Sequence, residues 1–308
     1  MIQGKESMPS PETRTPIADV SVVAANYNNA AYLDDYFQSW IQSTVQPAEL
    51  IFVDDGSTDE SLEVAKRYKD DLPNLVILEL GTNRGFGNAL NAGIDRASCK
   101  YIMRVDPDDV LISDRLAVQL ELLESEDVDV VGSNAIIFHS STRRIIGTTN
   151  FPLTHSDIAR TIRKGEHGVL HPTVMARAEL FKNHPYNQGC VPAEDYDIFA
   201  RMLSSGARFA NIKRPLLRYR VHQKSASNVL PFSTIRKTYS LRDSIFGTKT
   251  PGWYILAYYA HIKCYRKYLF SELAAAKIFY LGLASALRPD KAFRRLLRAV
   301  RSDGRSLT

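Results

Sequence analysis

Apolar residues recur along the first 130 positions in two alternating spacings. Val20-Ser21-Val22-Val23-Ala24-Ala25 is a compact β-branched run that stops at the polar Asn26-Tyr27-Asn28-Asn29, which predicts a buried strand with a loop at its carboxyl end. Leu33, Phe37, Trp40 and Ile41 then fall at helical spacing within Tyr32 to Ser43. Leu50-Ile51-Phe52-Val53 predicts a second strand, closed by Asp54-Asp55-Gly56-Ser57, and Ser57 or Thr58 can cap a helix over Glu60 to Tyr68. A third strand is predicted at Val76 to Leu80, a helix from Gly85 to Ala97, a fourth strand at Tyr101 to Val105, a helix from Arg115 to Glu124 and a fifth strand at Val128 to Gly132. Beyond these, the pattern predicts a hairpin-like region at Ile136 to Ile146, a helix around Asp157 to Lys164, a loop at His167 to Thr173 and a helix around Asp195 to Ser204. No internal repeat is evident.

Strand and helix in strict alternation predict an α/β fold, a mostly parallel sheet flanked by helices. Such sheets bind ligands at the carboxyl ends of their strands. Three of the predicted strands end in polar clusters, at Asn26 to Asn28, at Asp54-Asp55 and at Asp106 to Asp109. Three such clusters on one sheet edge predict a single site there.

Charge divides the chain where the pattern changes. The whole sequence of 308 residues has a formal net charge of +5. Residues 231–308 hold 15 basic and 4 acidic side chains, whereas residues 1–230 hold 24 basic and 30 acidic ones. The division predicts a mildly acidic catalytic body over 19–230, a leader over 1–18 rich in Pro, Ser and Thr, and a helical, basic and aromatic region over 231–308. In the last stretch Phe293, Leu296, Leu297 and Val300 lie at i, i+3, i+4 and i+7, with Arg294, Arg295, Arg298 and Arg301 mostly off that stripe. A basic amphipathic helix over 288–308 either lies on an anionic membrane surface or packs its stripe on the body or on a second copy in a homo-oligomer. No nucleic-acid motif accompanies the charge. The cysteines, Cys99, Cys190 and Cys264, are three and widely spaced, so neither a disulfide framework nor a zinc motif is indicated. No apolar run reaches the ~18 residues of a membrane span, and the first residues lack the apolar core of a secretory signal. The expected location is cytoplasmic, with peripheral attachment to the cytoplasmic membrane face through the tail.

Six segments, in order, resemble glycosyltransferase family 2. They are Val20 to Asn28, Ile51 to Asp59, Asn83-Arg84-Gly85 through Asn91-Ala92-Gly93, Asp106-Pro107-Asp108-Asp109, Glu194-Asp195-Tyr196-Asp197 and Tyr219-Arg220-Val221-His222. The resemblance covers about Val20 to Ser227 and implies a GT-A, Rossmann-like fold. It implies an inverting transferase that moves a sugar from a nucleotide-sugar, a UDP-sugar by expectation, to a hydroxyl of a glycan or lipid-linked acceptor in surface polysaccharide synthesis. It also implies Ala25, Tyr27, Asn28, Asp54, Asp55, Arg84, Asn91, Arg104 and Asp106 on the donor side, with one of Asp54 and Asp55 accepting from the base. Where the family usually has Pro-Thr-Tyr-Asn, this chain has Ala25-Asn26-Tyr27-Asn28.

Asp106 and Asp108 are hard oxygen ligands suited to Mn²⁺ or Mg²⁺, an ion that stabilises the charge growing on a departing diphosphate. Asp109 either orients the loop or caps a helix. By resemblance Asp195 is the general base toward the acceptor hydroxyl, and Glu194 orients the loop or meets the acceptor. His222 is either a third metal ligand or a partly buried histidine, and His171 is an acceptor-side candidate. Two other classes compete: a non-catalytic nucleotide-sugar or glycan-binding subunit, and a phosphotransferase using Asp-x-Asp. The retention of Asp106, Asp108 and Asp195 together speaks against the first. The position of the acidic pair after the fourth strand, among the other motifs, speaks against the second.

Overall fold

The computed structural model describes residues 15–222, 231–271 and 273–288. They form two compact units, one of residues 15–189 with 194–222 and one of residues 190–193 with the described residues after 230.

The first unit is a nine-stranded sheet with helices. Its strands are β1 (Ile17–Asn26), β2 (Gln46–Asp54), β3 (Leu75–Glu79), β4 (Tyr101–Arg104), β5 (Val110–Leu111), β6 (Val130–His139), β7 (Ile145–Thr148), β8 (Met175–Arg177) and β9 (Phe209–Val221). The helices are α1 (Ala30–Ile41), α2 (Ser61–Arg67), α3 (Phe86–Arg96), α4 (Arg115–Ser125), α5 (His155–Arg163), α6 (Ala178–Asn183) and α7 (Glu194–Ser204). The strand order is β3-β2-β1-β4-β8-β6-β9-β5, with β7 paired to β6. The strands β3, β2, β1 and β4 form the parallel block that the alternating pattern predicts. The rest is mixed. β8 runs antiparallel to β4 and β6, whereas β9 runs parallel to β6 over ten paired positions from Val130↔Phe209 to His139↔Val221. β1 already begins at Ile17, two residues inside the stretch expected as leader. Its backbone is drawn into the ladder by pairing with Gln46 and Pro47 of β2.

Trp40, Tyr36 and Phe37 of α1 pack with Val20, Val22 and Ala24 of β1 and with Leu50 and Phe52 of β2, all fully buried. Burying a side chain of this size stabilises the fold by about 1.5–3 kcal/mol. On the other face α3 lies directly on the sheet. A Cβ at Gly93 would stand 2.5 Å from Val23 Cγ1 and 2.9 Å from Val53 Cγ2, so glycine sets the depth at which that helix docks.

The second unit contains α8 (Phe232–Phe246), α9 (Gly252–Phe270) and α10 (Ala274–Leu287). Ile235, Tyr239 and Ile255 form its buried cluster. His261 Nδ1 meets the Ala284 carbonyl at 2.8 Å and ties α9 to α10. Ile278, Phe279, Leu281 and Leu283 of α10 and Trp253 and Leu256 of α9 are exposed. The amphipathic stripe expected over 288–308 lies, from residue 289 onward, outside the described residues.

Candidate active site

The site lies at the carboxyl ends of β1, β2 and β4, where the polar clusters end their strands. At the end of β2, Asp54 and Asp55 are both buried and each organises a loop. Asp54 accepts from Asn26 Nδ2 at 3.0 Å, from the Ser57 amide at 2.9 Å and from Ser57 Oγ at 2.5 Å. Asp55 accepts from the backbone amides of Arg84 at 2.7 Å and Gly85 at 2.9 Å, one on each carboxylate oxygen. The turn between them needs glycine. Gly56 has φ +71°, and a Cβ there would stand 2.6 Å from the Thr82 backbone. Asn28, in a left-handed conformation at φ 55°, accepts from the Thr58 amide at 2.8 Å. Ala25 is buried, Tyr27 is 46% exposed, and the Arg84 side chain is exposed with Nη2 near the Leu80 carbonyl. These residues line one strand-end region, as expected.

Asn91 departs from its expected donor-side role. Its Nδ2 donates to the Tyr186 carbonyl and its Oδ1 accepts from the Tyr186 amide, both at 2.8 Å. Both ends of the amide are thus taken up by the protein. Asn91 anchors a loop 95 residues away in sequence.

At the end of β4 the carboxylates of Asp106, Asp108 and Asp109 lie within 4.8 Å of one another. Burial and the nearby charges of Asp108 and Asp106 push the Asp109 carboxyl well above the usual range. Asp106 is also raised, by burial and by Asp108, against the pull of Arg104. Asp109 Oδ1 accepts from the Arg220 amide at 2.7 Å, while Oδ2 is buried with no hydrogen-bond partner. Crowded like charges and an orphaned carboxylate oxygen in an all-oxygen set fit a hard divalent cation. Asp109 is the third carboxylate of this set, and His222 stands beside it. The His222 Nε2 lies 3.0 Å from Asp108 Oδ2, and its ring sits 4.9 Å from that of Tyr32.

Buried arginines brace this acidic loop. Arg220 donates through Nε to the Asp108 carbonyl and through Nη2 to Asp35 Oδ2, both at 2.6 Å, and lies over the rings of Phe138 and Tyr32. Arg115 donates to Gln119 Oε1 at 2.8 Å and to the Arg104 carbonyl at 3.1 Å. Gln119 in turn bonds the carbonyls of Val131 and Thr173, so α4 clamps β4, β6 and the turn at His171–Thr173 together. Burial draws the Arg115 pKa down to about 9. Arg104 is 2% exposed, donates to Asp106 Oδ1 and lies 5.0 Å from the Phe86 ring centroid.

The acidic pair at the start of α7 completes the site. Tyr196 donates its hydroxyl to the Ile162 carbonyl at 2.7 Å, which fixes the first turn of α7 against α5. Asp195 accepts from the Tyr196 amide at 2.7 Å, lies 3.6 Å from His167 Nδ1 and is about a third exposed, at 35%. Burial and the neighbouring Asp195 raise the Glu194 pKa. His171 Nε2 is 2.6 Å from Tyr186 Oη, and its ring is edge-on to Phe86 and Phe199. Burial, with Arg104 and His167 adding to it, holds His171 far below its usual pKa, so it is neutral. Tyr186 Oη lies within electrostatic reach of Arg104, Asp195, Asp106 and Glu194 together. The acidic loop of β4 and the acidic turn of α7 therefore face one region. The motifs do not mark Tyr186, since it stands alone in a loop, and its pairings with Asn91 and His171 bring it there.

A profile of glycosyl transferase family 2 matches residues 21–185. The chain belongs to this family. The amylovoran biosynthesis glycosyltransferase AmsE of Erwinia amylovora is 32% identical over 203 residues, covering 65% of this chain and 75% of that protein. Among solved structures, S. aureus TarS 1–349 in complex with UDP-GlcNAc aligns with TM-score 0.59 at 18% identity, over 87% of this chain and 80% of that one. The mannosyltransferase PcManGT of Pyrobaculum calidifontis in complex with GDP-Man and Mn²⁺ aligns with TM-score 0.58 at 18% identity, over 89% and 82%. The fold of this family 2 enzyme is GT-A, and it is a glycosyltransferase.

Proposed function

We propose that this family 2 enzyme transfers a sugar with inversion from a nucleotide-sugar, of UDP type, to a hydroxyl of a glycan or lipid-linked acceptor in surface polysaccharide synthesis. The observation that carries the reading is the strand-end cluster of Asp106, Asp108 and Asp109 within 4.8 Å of one another, with Asp106 held by the buried Arg104. AmsE is named for the synthesis of a polysaccharide, and the TarS and PcManGT complexes hold nucleotide-sugars.

In this reading the acceptor hydroxyl attacks the anomeric carbon, its proton passes to an Asp195 carboxylate oxygen, and the bond from that carbon to the diphosphate breaks as the nucleoside diphosphate leaves. Asp195 suits the base because its carboxylate is about a third exposed, at 35%, whereas Glu194 Oε2 is buried. Asp106, Asp108 and Asp109 would hold Mn²⁺ or Mg²⁺, which supplies electrostatic stabilisation to the leaving diphosphate. Asp55 holds the Arg84-Gly85 loop through its two amides, so its carboxylate shapes the nucleotide edge of the site more than it offers a free acceptor.

The test is a thermal-shift screen of nucleotide-sugars with and without Mn²⁺. A donor at about 100 times its Kd adds ~2.7 kcal/mol, which in a domain of this size corresponds to about 5–10 °C in Tm. The expected result is a shift with a UDP-sugar that requires the metal. If no nucleotide-sugar shifts Tm in either condition, the donor assignment is wrong.

We further propose that the second unit attaches the enzyme peripherally to the cytoplasmic face of an anionic membrane. No helix among the described residues is long and apolar enough to cross one. Exposed Ile278, Phe279, Leu281 and Leu283 on α10, in a region with 15 basic and 4 acidic side chains, support interfacial seating. Ile278→Asp combined with Phe279→Asp is expected to reduce co-sedimentation with anionic liposomes severalfold, and deletion of 289–308 to reduce it in a salt-sensitive way. Unchanged sedimentation in both variants would assign these faces to contact with another copy instead.

A further inference from the structure

Arg104 is a buried cation whose hydrogen-bonding capacity the protein leaves partly unused. It closes β4, and although 2% exposed it leaves Nε and Nη1 without a hydrogen-bond partner. Two unpaired N–H groups of a buried guanidinium are costly, and a site tolerates them where a ligand supplies the acceptors. Glu194 shows the complementary defect, since its Oε2 is buried and has no partner. Arg104 is among the charges that act on Glu194, and its guanidinium adjoins Phe86, whose ring meets His171 next to Tyr186 Oη.

Their placement selects the part of the donor they meet. Arg104 holds Asp106, at the diphosphate end of the proposed site, and Glu194 adjoins Asp195, at the end from which the acceptor attacks. Between these ends lies the transferred sugar. An unpaired donor at one end and an unpaired carboxylate acceptor at the other match hydroxyl groups, because a hydroxyl both accepts and donates. A sugar carboxylate would pair with Arg104 but would be repelled by Glu194. From this geometry we infer that Arg104 and Glu194 together read ring hydroxyls of a neutral sugar, so that Arg104 sets donor-sugar specificity. The Phe86 ring, 5.0 Å from the guanidinium carbon, holds its plane in place. This inference rests on the nucleotide-sugar reading above.

The experiment is calorimetric titration in Mn²⁺ of UDP, UDP-glucose, UDP-galactose, UDP-N-acetylglucosamine, UDP-glucuronate, GDP and GDP-mannose into the wild type, Arg104→Lys and Phe86→Leu. Lysine keeps a cation beside Asp106 and loses the planar fork. In the wild type, the best neutral sugar should bind more tightly than the free nucleoside diphosphate, and UDP-glucuronate should bind more weakly than UDP-glucose. Arg104→Lys should lose about 10- to 100-fold more affinity for the nucleotide-sugar than for the free diphosphate and discriminate less between epimers. Phe86→Leu, which leaves the Arg104–Asp106 pair in place, should show a loss of severalfold for the nucleotide-sugar alone.

Equal losses for diphosphate and nucleotide-sugar in Arg104→Lys would mean that Arg104 serves only Asp106, and would overturn the inference. Preferential binding of UDP-glucuronate by the wild type would overturn it as well. If Arg104→Lys does not fold, Phe86→Leu decides, and unchanged nucleotide-sugar affinity there counts against the inference. A wild type that binds none of the nucleotides would overturn the donor reading itself, and this inference with it.

Discussion

Asp195→Asn is expected to bind the nucleotide-sugar as the wild type does and to transfer about 10²- to 10⁴-fold more slowly, the usual range for loss of a general base. The substitution is nearly isosteric. It keeps an oxygen for the Tyr196 amide, so the start of α7 and its anchor on Ile162 should persist. What it removes is the carboxylate that takes the proton as the acceptor attacks. Glu194→Gln should cost less in kcat, because Glu194 Oε2 is buried whereas the Asp195 carboxylate is partly exposed. Single-turnover transfer and donor titration on both variants separate binding from chemistry. A wild-type rate in Asp195→Asn would move the base elsewhere, and Glu194→Gln would then show the larger loss.

Asp108→Asn should abolish the metal-dependent part of donor binding, a loss of about 10²-fold or more, because several kcal/mol of charge stabilisation go with the ion. The fold should not suffer in parallel. Asp106, Asp108 and Asp109 repel one another when no cation is present, and removing one charge relieves the other two. The metal-free variant is therefore expected to melt at or above the wild-type Tm while losing the Mn²⁺-induced shift. Asp106→Ala should lose metal-dependent binding to a similar degree, but with a lower Tm, because it strips the buried Arg104 of its carboxylate partner. Equal donor affinity with and without Mn²⁺ in all three proteins would exclude the metal role.

The parallel block was legible in the sequence because β4 and the ends of β1 and β2 are buried on both faces and read as short apolar runs. The acidic strand ends were legible for the complementary reason, that polar residues cluster where such a run stops. β9 was not. Lys213, Arg214, Pro215, Arg218 and Arg220 break any alternation, and the strand crosses two register shifts against β6. Its polar residues are held by partners distant in sequence, as Arg220 is by Asp35, Asp108 and Asp109. Asn91 misled in the opposite direction. Within a motif it reads as ligand-facing, but its amide satisfies the backbone of Tyr186, a partner no local pattern marks.

The long parallel pairing of β9 with β6 also bears on the order of events during synthesis. The acidic loop at Asp106–Asp109 leaves the ribosome more than a hundred residues before Arg220, which reaches it across 111 positions. A nascent chain halted before Phe209 holds every strand of the parallel block and the Arg104–Asp106 pair, but it lacks the Arg220 amide and guanidinium that hold Asp109 and the Asp108 carbonyl. Contacts so far apart in sequence form slowly. The brace on the acidic loop therefore forms only once β9 has been made.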